Sequence, residues 1–129
     1  MPRHDFDPAT VEADGRPASQ ARLFDPAQGG PWRGSLDGIA LGGPVTVFAY
    51  GTDEIGAGPR LHVHPYDETF IIIEGHARFT VGDTTLDAHA GEVVLGPAGV
   101  PHTFKNLGPG RLQTIDIHHS PRWIQTDLE

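Results

Sequence analysis

Gly56-Ala57-Gly58-Pro59-Arg60-Leu61-His62-Val63-His64-Pro65-Tyr66-Asp67-Glu68-Thr69-Phe70-Ile71-Ile72-Ile73-Glu74-Gly75 is the stretch on which the fold turns. Its second half, Thr69 to Ile73, is a continuous apolar run closed by Gly75. Such a run predicts a strand buried on both faces. Its first half carries His62-Val63-His64. Alternate residues of a strand point to one side, so the two imidazoles project together. Pro65 interrupts the ladder and predicts a bend, which lets Glu68 swing towards the same centre. Two imidazoles and a carboxylate make a competent ligand set for a first-row divalent metal. A His-x-His on the polar face of a strand is also compatible with no site at all.

On either side of this stretch the pattern stays β. Val45 to Tyr50 is β-branched and aromatic between Pro44 and Gly51. Ala77 to Val81 alternates, Gly82-Asp83 turns, and Thr84 to Ala88 returns as the second arm of a hairpin. Glu92 to Leu95, His102 to Asn106 and Arg111 to His118 are further strand candidates. No segment shows a 3.6-residue period, and Pro121 is a candidate start for a short turn of helix. Short strands with turn signals every eight to twelve residues or so indicate an all-β sandwich or barrel. Residues 1–33 differ: five prolines, Gly29-Gly30 and no sustained period predict an extended or partly disordered arm. Phe24 and Trp32 are its candidate anchors. Residues 34–129 are read as one barrel domain.

Composition narrows the class. The chain has 129 residues, so one domain with one core is expected. It has no cysteine, which removes disulfides, thiolate metal sites and thiol nucleophiles together. A formal net charge of −8 disfavours nucleic acid and anionic membranes as partners. No apolar run is long enough to span a membrane, and Met1-Pro2-Arg3-His4-Asp5 opens no secretory signal, so a cytoplasmic location is expected.

The glycine spacing gives the histidines a frame. Gly56 is followed by five residues, His62-x-His64, three residues, Glu68, six residues and Gly75. Gly91 is followed by five residues, Pro97-x-Gly99, two residues, His102, three residues and Asn106. Residues 76–90 lie between. This spacing resembles the two conserved-barrel motifs of the cupin superfamily, with all ten fixed identities present. The resemblance implies a jelly-roll β-barrel in which His62, His64, Glu68 and His102 bind one divalent transition metal. Iron, manganese, zinc, nickel and cobalt all remain open. It implies a structural role for Asn106, and a homodimer in which Ile71 and Ile73 join the contact between barrels. The other reading of those two residues is burial under the barrel's second sheet.

Three imidazoles and one carboxylate would leave two positions of an octahedral ion open for water, dioxygen or substrate. The expected function is therefore a metal-dependent enzyme acting on a small organic molecule, dioxygenase-like in the first instance. The alternatives are a metal or small-molecule binding module, and a Lewis-acid isomerase, cyclase or decarboxylase. Small cupin lyases acting on sulfonium compounds carry a tyrosine where this chain has Phe70, which weakens that lyase reading. Oxalate-handling cupins are usually longer, and their loop carboxylates have no evident counterpart here. Strand parity makes Phe70, Ile72 and Phe104 pocket-lining candidates, and Arg60, two residues before His62, a candidate for the pocket mouth. Asp67 is expected to bond a ligand imidazole or the loop backbone. Gln113 and Asp116 have opposite parity, so at most one faces inward. His118 and His119 split in the same way. His76 and His89 are expected at the surface, and His4 lies in the arm.

Overall fold

The structure is a computed structural model describing residues 2–129. Ten strands are present: β1 (Gly34–Leu36), β2 (Thr46–Thr52), β3 (His62–Val63), β4 (Glu68–Glu74), β5 (His76–Val81), β6 (Thr84–His89), β7 (Val93–Gly96), β8 (His102–Asn106), β9 (Leu112–His118) and β10 (Thr126–Asp127). They form two five-stranded sheets, ordered β1-β2-β9-β4-β7 and β10-β3-β8-β5-β6. Every pairing is antiparallel. The two sheets face each other as a jelly-roll barrel, and the all-β expectation holds. Gly82, with φ of 58°, supplies the left-handed turn residue of the β5–β6 hairpin.

The register of the first sheet sets out its inner wall in rows. Thr46, His118, Glu68 and Gly96 form one row across β2, β9, β4 and β7. Phe48, Asp116, Phe70 and Val94 form the next. Tyr50, Thr114 and Ile72 follow. The core closes these rows against the other sheet. Phe70 packs edge-on to Phe79 at 5.0 Å, and Phe79 stacks on Phe104 at 4.9 Å. Ile72, Ala77, Ala88 and Leu112 complete it. Burying each large apolar side chain contributes roughly 1.5–3 kcal/mol.

Three sequence expectations need correction. The β4 run is buried on one face only: Phe70 and Ile72 are inside, Thr69 and Ile71 are half-buried, and Ile73 is 48% exposed. Ile71 and Ile73 lie on the outer face, not under the second sheet. The continuous apolar run misled because the back of that sheet meets only the arm, which packs at Gln113 through Trp32 and leaves Ile73 exposed. Second, a four-residue helix, α1 (Gly38–Leu41), closes on Gly42 with φ of 76°. One turn is too short to show a period. Third, Pro121 starts no helix; the tail bends and adds β10 to the edge of β3.

Before β1 the described chain forms no strand; it carries a 3-10 turn at Pro8–Thr10 and a second turn closed by Gln28 N on Asp25 O, and it is mostly exposed. Phe24 stacks on Trp32 with centroids 4.5 Å apart. Gln113 clasps the backbone of Trp32: its Oε1 accepts from Trp32 N at 2.8 Å and its Nε2 donates to Trp32 O at 3.1 Å. Any Cβ on Gly51 would collide with that clasp and with Pro31, so only glycine lets this segment lie against β2.

Candidate metal centre

The bend after His64 is held from two sides. The Asp67 carboxylate accepts from Ala98 N at 2.8 Å, and Gly99 N donates to His64 O at 2.9 Å. These bonds fasten the Pro97–Pro101 corner against the bend. Asp67 thus bonds loop backbone. The corner delivers His102 as the first residue of β8, directly opposite His62 of β3. Glu68 opens β4 in the facing sheet.

The consequence is one buried cluster. His62, His64, Glu68 and His102 are all at most 5% exposed, and their ligand atoms lie within 4.8 Å of one another. His64 Nε2 and His102 Nε2 stand 3.0 and 3.1 Å from Glu68 Oε1. His62 Nδ1 donates to Arg60 O at 2.6 Å and His64 Nδ1 to Ile124 O at 2.7 Å. A carbonyl can only accept, so each Nδ1 carries the proton and each Nε2 keeps its lone pair. Metal-binding histidines are commonly oriented in this way. His64 Nε2 is buried and, despite its nearness to Glu68, has no aligned hydrogen bond. Convergent nitrogen lone pairs around one carboxylate oxygen fit a divalent cation, so these four residues could hold one. The donor set, nitrogen and oxygen only, does not choose among manganese, iron, cobalt, nickel and zinc.

Electrostatics at the cluster follow from burial and partners. Burial raises the Glu68 carboxyl, but the imidazoles of His102, His118 and His64 beside it outweigh burial and hold the group far below the usual range. Burial lowers the His62 imidazole, against the opposing bond to Arg60 O.

Next to the cluster opens a cavity of about 400 Å³, to which His62 and Glu68 both contribute. Phe48, Tyr50, Phe70 and Phe104 give it aromatic walls, and Trp123 stands at its mouth, 5.3 Å from Phe48. Phe70 and Phe104 thus line the cavity. Ile72 instead sits one row deeper, fully buried in the core. Arg60 is exposed and turned to the tail, donating to Glu129 O at 3.4 Å. Strand parity fails for Arg60 because β3 begins only at His62.

Two inward residues of β9 went unassigned in the sequence. His118 Nε2 lies 3.1 Å from Glu68 Oε2, the carboxylate oxygen turned away from His64 and His102. Its Nδ1 lies 2.9 Å from Tyr66 Oη, which also accepts from Ile124 N at 3.1 Å. Asp116 lies on the cavity wall, 5% exposed, and its Oδ1 has no hydrogen-bond partner. Burial, followed by the nearby Glu68 charge, raises its carboxyl well above the usual range. Gln113 faces the opposite way, as its parity requires, and His119 is exposed. The signal that finds His118 and Asp116 is the alternation Leu112, Thr114, Asp116, His118. It becomes decisive only when β9 is known to lie between β2 and β4. His89 is exposed and His76 half-buried; their rings stack at 4.0 Å on the outside of the hairpin, away from the cluster.

Comparison with known proteins agrees with this geometry. The cupin domain family matches residues 49–118. The chain belongs to the cupin family. An uncharacterized protein of Streptomyces coelicolor is 41% identical over 63 residues, 49% of this chain and 59% of that protein. Bacillus subtilis oxalate decarboxylase, studied elsewhere for its Mn(II) centres, superposes with a TM-score of 0.69 at 23% identity. That superposition covers 83% of this chain and 30% of the decarboxylase. A conserved Streptococcus pyogenes protein of unknown function superposes at 0.55 with 22% identity, covering 62% of this chain and 68% of that one. The chain therefore spans less than a third of the decarboxylase and under two thirds of the Streptomyces relative. Among the described residues no helix is long and apolar enough to cross a membrane.

Proposed function

We propose that this cupin is a mononuclear metalloenzyme acting on a small organic molecule, with His62, His64, Glu68 and His102 as the ligands. The observation that carries this reading is that His62 and Glu68 belong both to the ligand cluster and to the cavity wall. A structural metal site is closed by its ligands, whereas a catalytic one keeps a side open to substrate. When bound, a divalent ion there supplies a Lewis acid and open positions for a substrate oxygen or for dioxygen.

The chain's own residues do the rest. Phe48, Phe70 and Phe104 exclude water and orient an apolar body. His118 and Tyr66 hold Glu68 and His64 in place. Oxygenase chemistry is the first reading. A second, decarboxylation, is favoured by Asp116. Breaking a carbon–carboxylate bond releases carbon dioxide and leaves an electron pair on carbon. A neutral Asp116 carboxyl beside the substrate can supply the proton that this carbon needs. The oxalate decarboxylase likeness supports the second reading only as a likeness of fold.

The test is a screen of small enols, diketones, catechols and 2-oxo acids against protein loaded with Fe(II), Mn(II) or Zn(II). Dioxygen uptake and carbon dioxide release are followed together. Oxygenase chemistry predicts uptake with Fe(II) or Mn(II) and none with Zn(II). Decarboxylation predicts carbon dioxide release that Asp116→Asn slows. No turnover with any metal, despite stoichiometric loading, would leave a binding module.

A further inference from the structure

Arg33 immediately precedes β1 and lines the cavity. Its Nε donates to Gly51 O at 2.7 Å, and its guanidinium lies over the Tyr50 ring, 4.6 Å from the centroid. Two contacts therefore fix the head group. Yet among the described residues it forms no ion pair, while Arg3, Arg16, Arg22, Arg78 and Arg111 each reach an aspartate. Arg33 is exposed and, like Arg60, Arg122 and Lys105, has no acidic partner among the described residues, but of these four it alone lines the cavity. A guanidinium offers five donors in a fork that matches a carboxylate. With Nε used, the two terminal nitrogens of Arg33 remain to meet one.

The charges of the cavity point the same way. Three imidazoles surround Glu68 at 3.0–3.1 Å, and Asp116, on the same cavity wall, has an unpartnered Oδ1. With a divalent ion in the cluster the wall is net positive, which favours an anion. The shape is set by the rows. Tyr50, beneath Arg33, is two rows from the Glu68 row, about 14 Å along the strands at ~3.4 Å per residue. Inward-reaching side chains shorten that span to about one ring with a short arm. The row between consists of Phe48, Asp116 and Phe70, two apolar surfaces around one hydrogen-bonding group.

We propose that the cavity takes a small organic monocarboxylate with a flat apolar body, its carboxylate paired with Arg33 on the cavity wall and its far end directed at the metal cluster. Asp116 then faces a polar substituent on that body. This rests on the reading of the cavity as a small-molecule site.

The test uses benzoate, phenylacetate and trans-cinnamate, each against its neutral amide. Binding is measured by calorimetry to metal-free and zinc-loaded protein, with zinc content determined independently. At least one acid should bind about ten-fold or more tightly than its amide. Arg33→Gln should bring the ratio close to one in both metal states, and Arg33→Lys should restore part of it. A preference that survives Arg33→Gln and disappears without zinc would put the carboxylate on the ion and overturn the proposal. Equal binding of acids and amides, or no binding of any acid, would overturn it too. Because zinc content is scored separately, loss of the carboxylate preference with zinc retained refutes this proposal and leaves the metal reading standing.

Discussion

Glu68 and Asp116 lie one strand and one row apart on the same inner wall, in opposite surroundings. Three imidazoles surround Glu68 at 3.0–3.1 Å, and it stays ionised despite its burial. Asp116, between Phe48 and Phe70, has its carboxyl pushed up by burial and leaves one oxygen unpaired. The difference teaches that burial alone does not decide a carboxyl's charge; the partners within hydrogen-bond reach do. It also separates two settings. The Glu68 row carries a carboxylate among imidazoles that could hold a cation. The Asp116 row sets one polar group between apolar walls.

The largest effect expected is on metal content. His62→Ala or His102→Ala should reduce bound metal from roughly one ion per chain to near zero by elemental analysis. The double change His76→Ala with His89→Ala, which removes the exposed stacked pair, should leave it intact. Metal retained in both single variants would erase the distinction between the two histidine groups.

A smaller effect belongs to the metal-free protein. Glu68→Gln should cost about 2 kcal/mol in urea unfolding at pH 7, since it removes a charged acceptor from three buried rings. The sign with pH follows from the depressed carboxyl. The wild-type advantage is full above the ordinary glutamate value of 4.5 and shrinks as pH falls below it. A difference that stays constant down to strong acid would show that Glu68 is not held ionised by its neighbours.

Asp116 should show the opposite slope. A carboxyl raised in the folded state binds its proton more tightly there than in the unfolded chain. Stability therefore declines as pH rises above the ordinary aspartate value of 3.8. Asp116→Asn should remove that decline, which is at most about 1.4 kcal/mol per pH unit until the folded group itself ionises. Parallel stability curves for the two proteins would mean that Asp116 is charged and that the two rows do not differ in the way described.

The four cluster residues were legible because a spacing carried them. His62, His64, Glu68 and His102 stand at fixed intervals from glycines and prolines that make the bend and the corner. His118 carries no such marker. Its neighbour His119 has the same chemistry and opposite parity, and only the pairing of β9 with β4 shows which one turns inward. Asp116 was legible as one of two alternatives, and the structure selects it because Gln113 is taken by the Trp32 backbone. Arg33 was hidden by the opposite cause: it stands at the end of a segment with no period, so nothing local says what it faces. The outer face of β4 misled because apolar residues occur on both sides of a strand whose second side no sheet covers.

The C-terminal segment has a practical consequence. Ile124 O holds the His64 ring, Ile124 N holds Tyr66, β10 lies along β3, and Glu129 Oε1 accepts from Leu61 N at 2.9 Å. The last residues thus act as a buckle across two of the metal-facing histidines. A substitution or cleavage within residues 124–129 would disturb the seating of these histidines without touching any residue of the cluster.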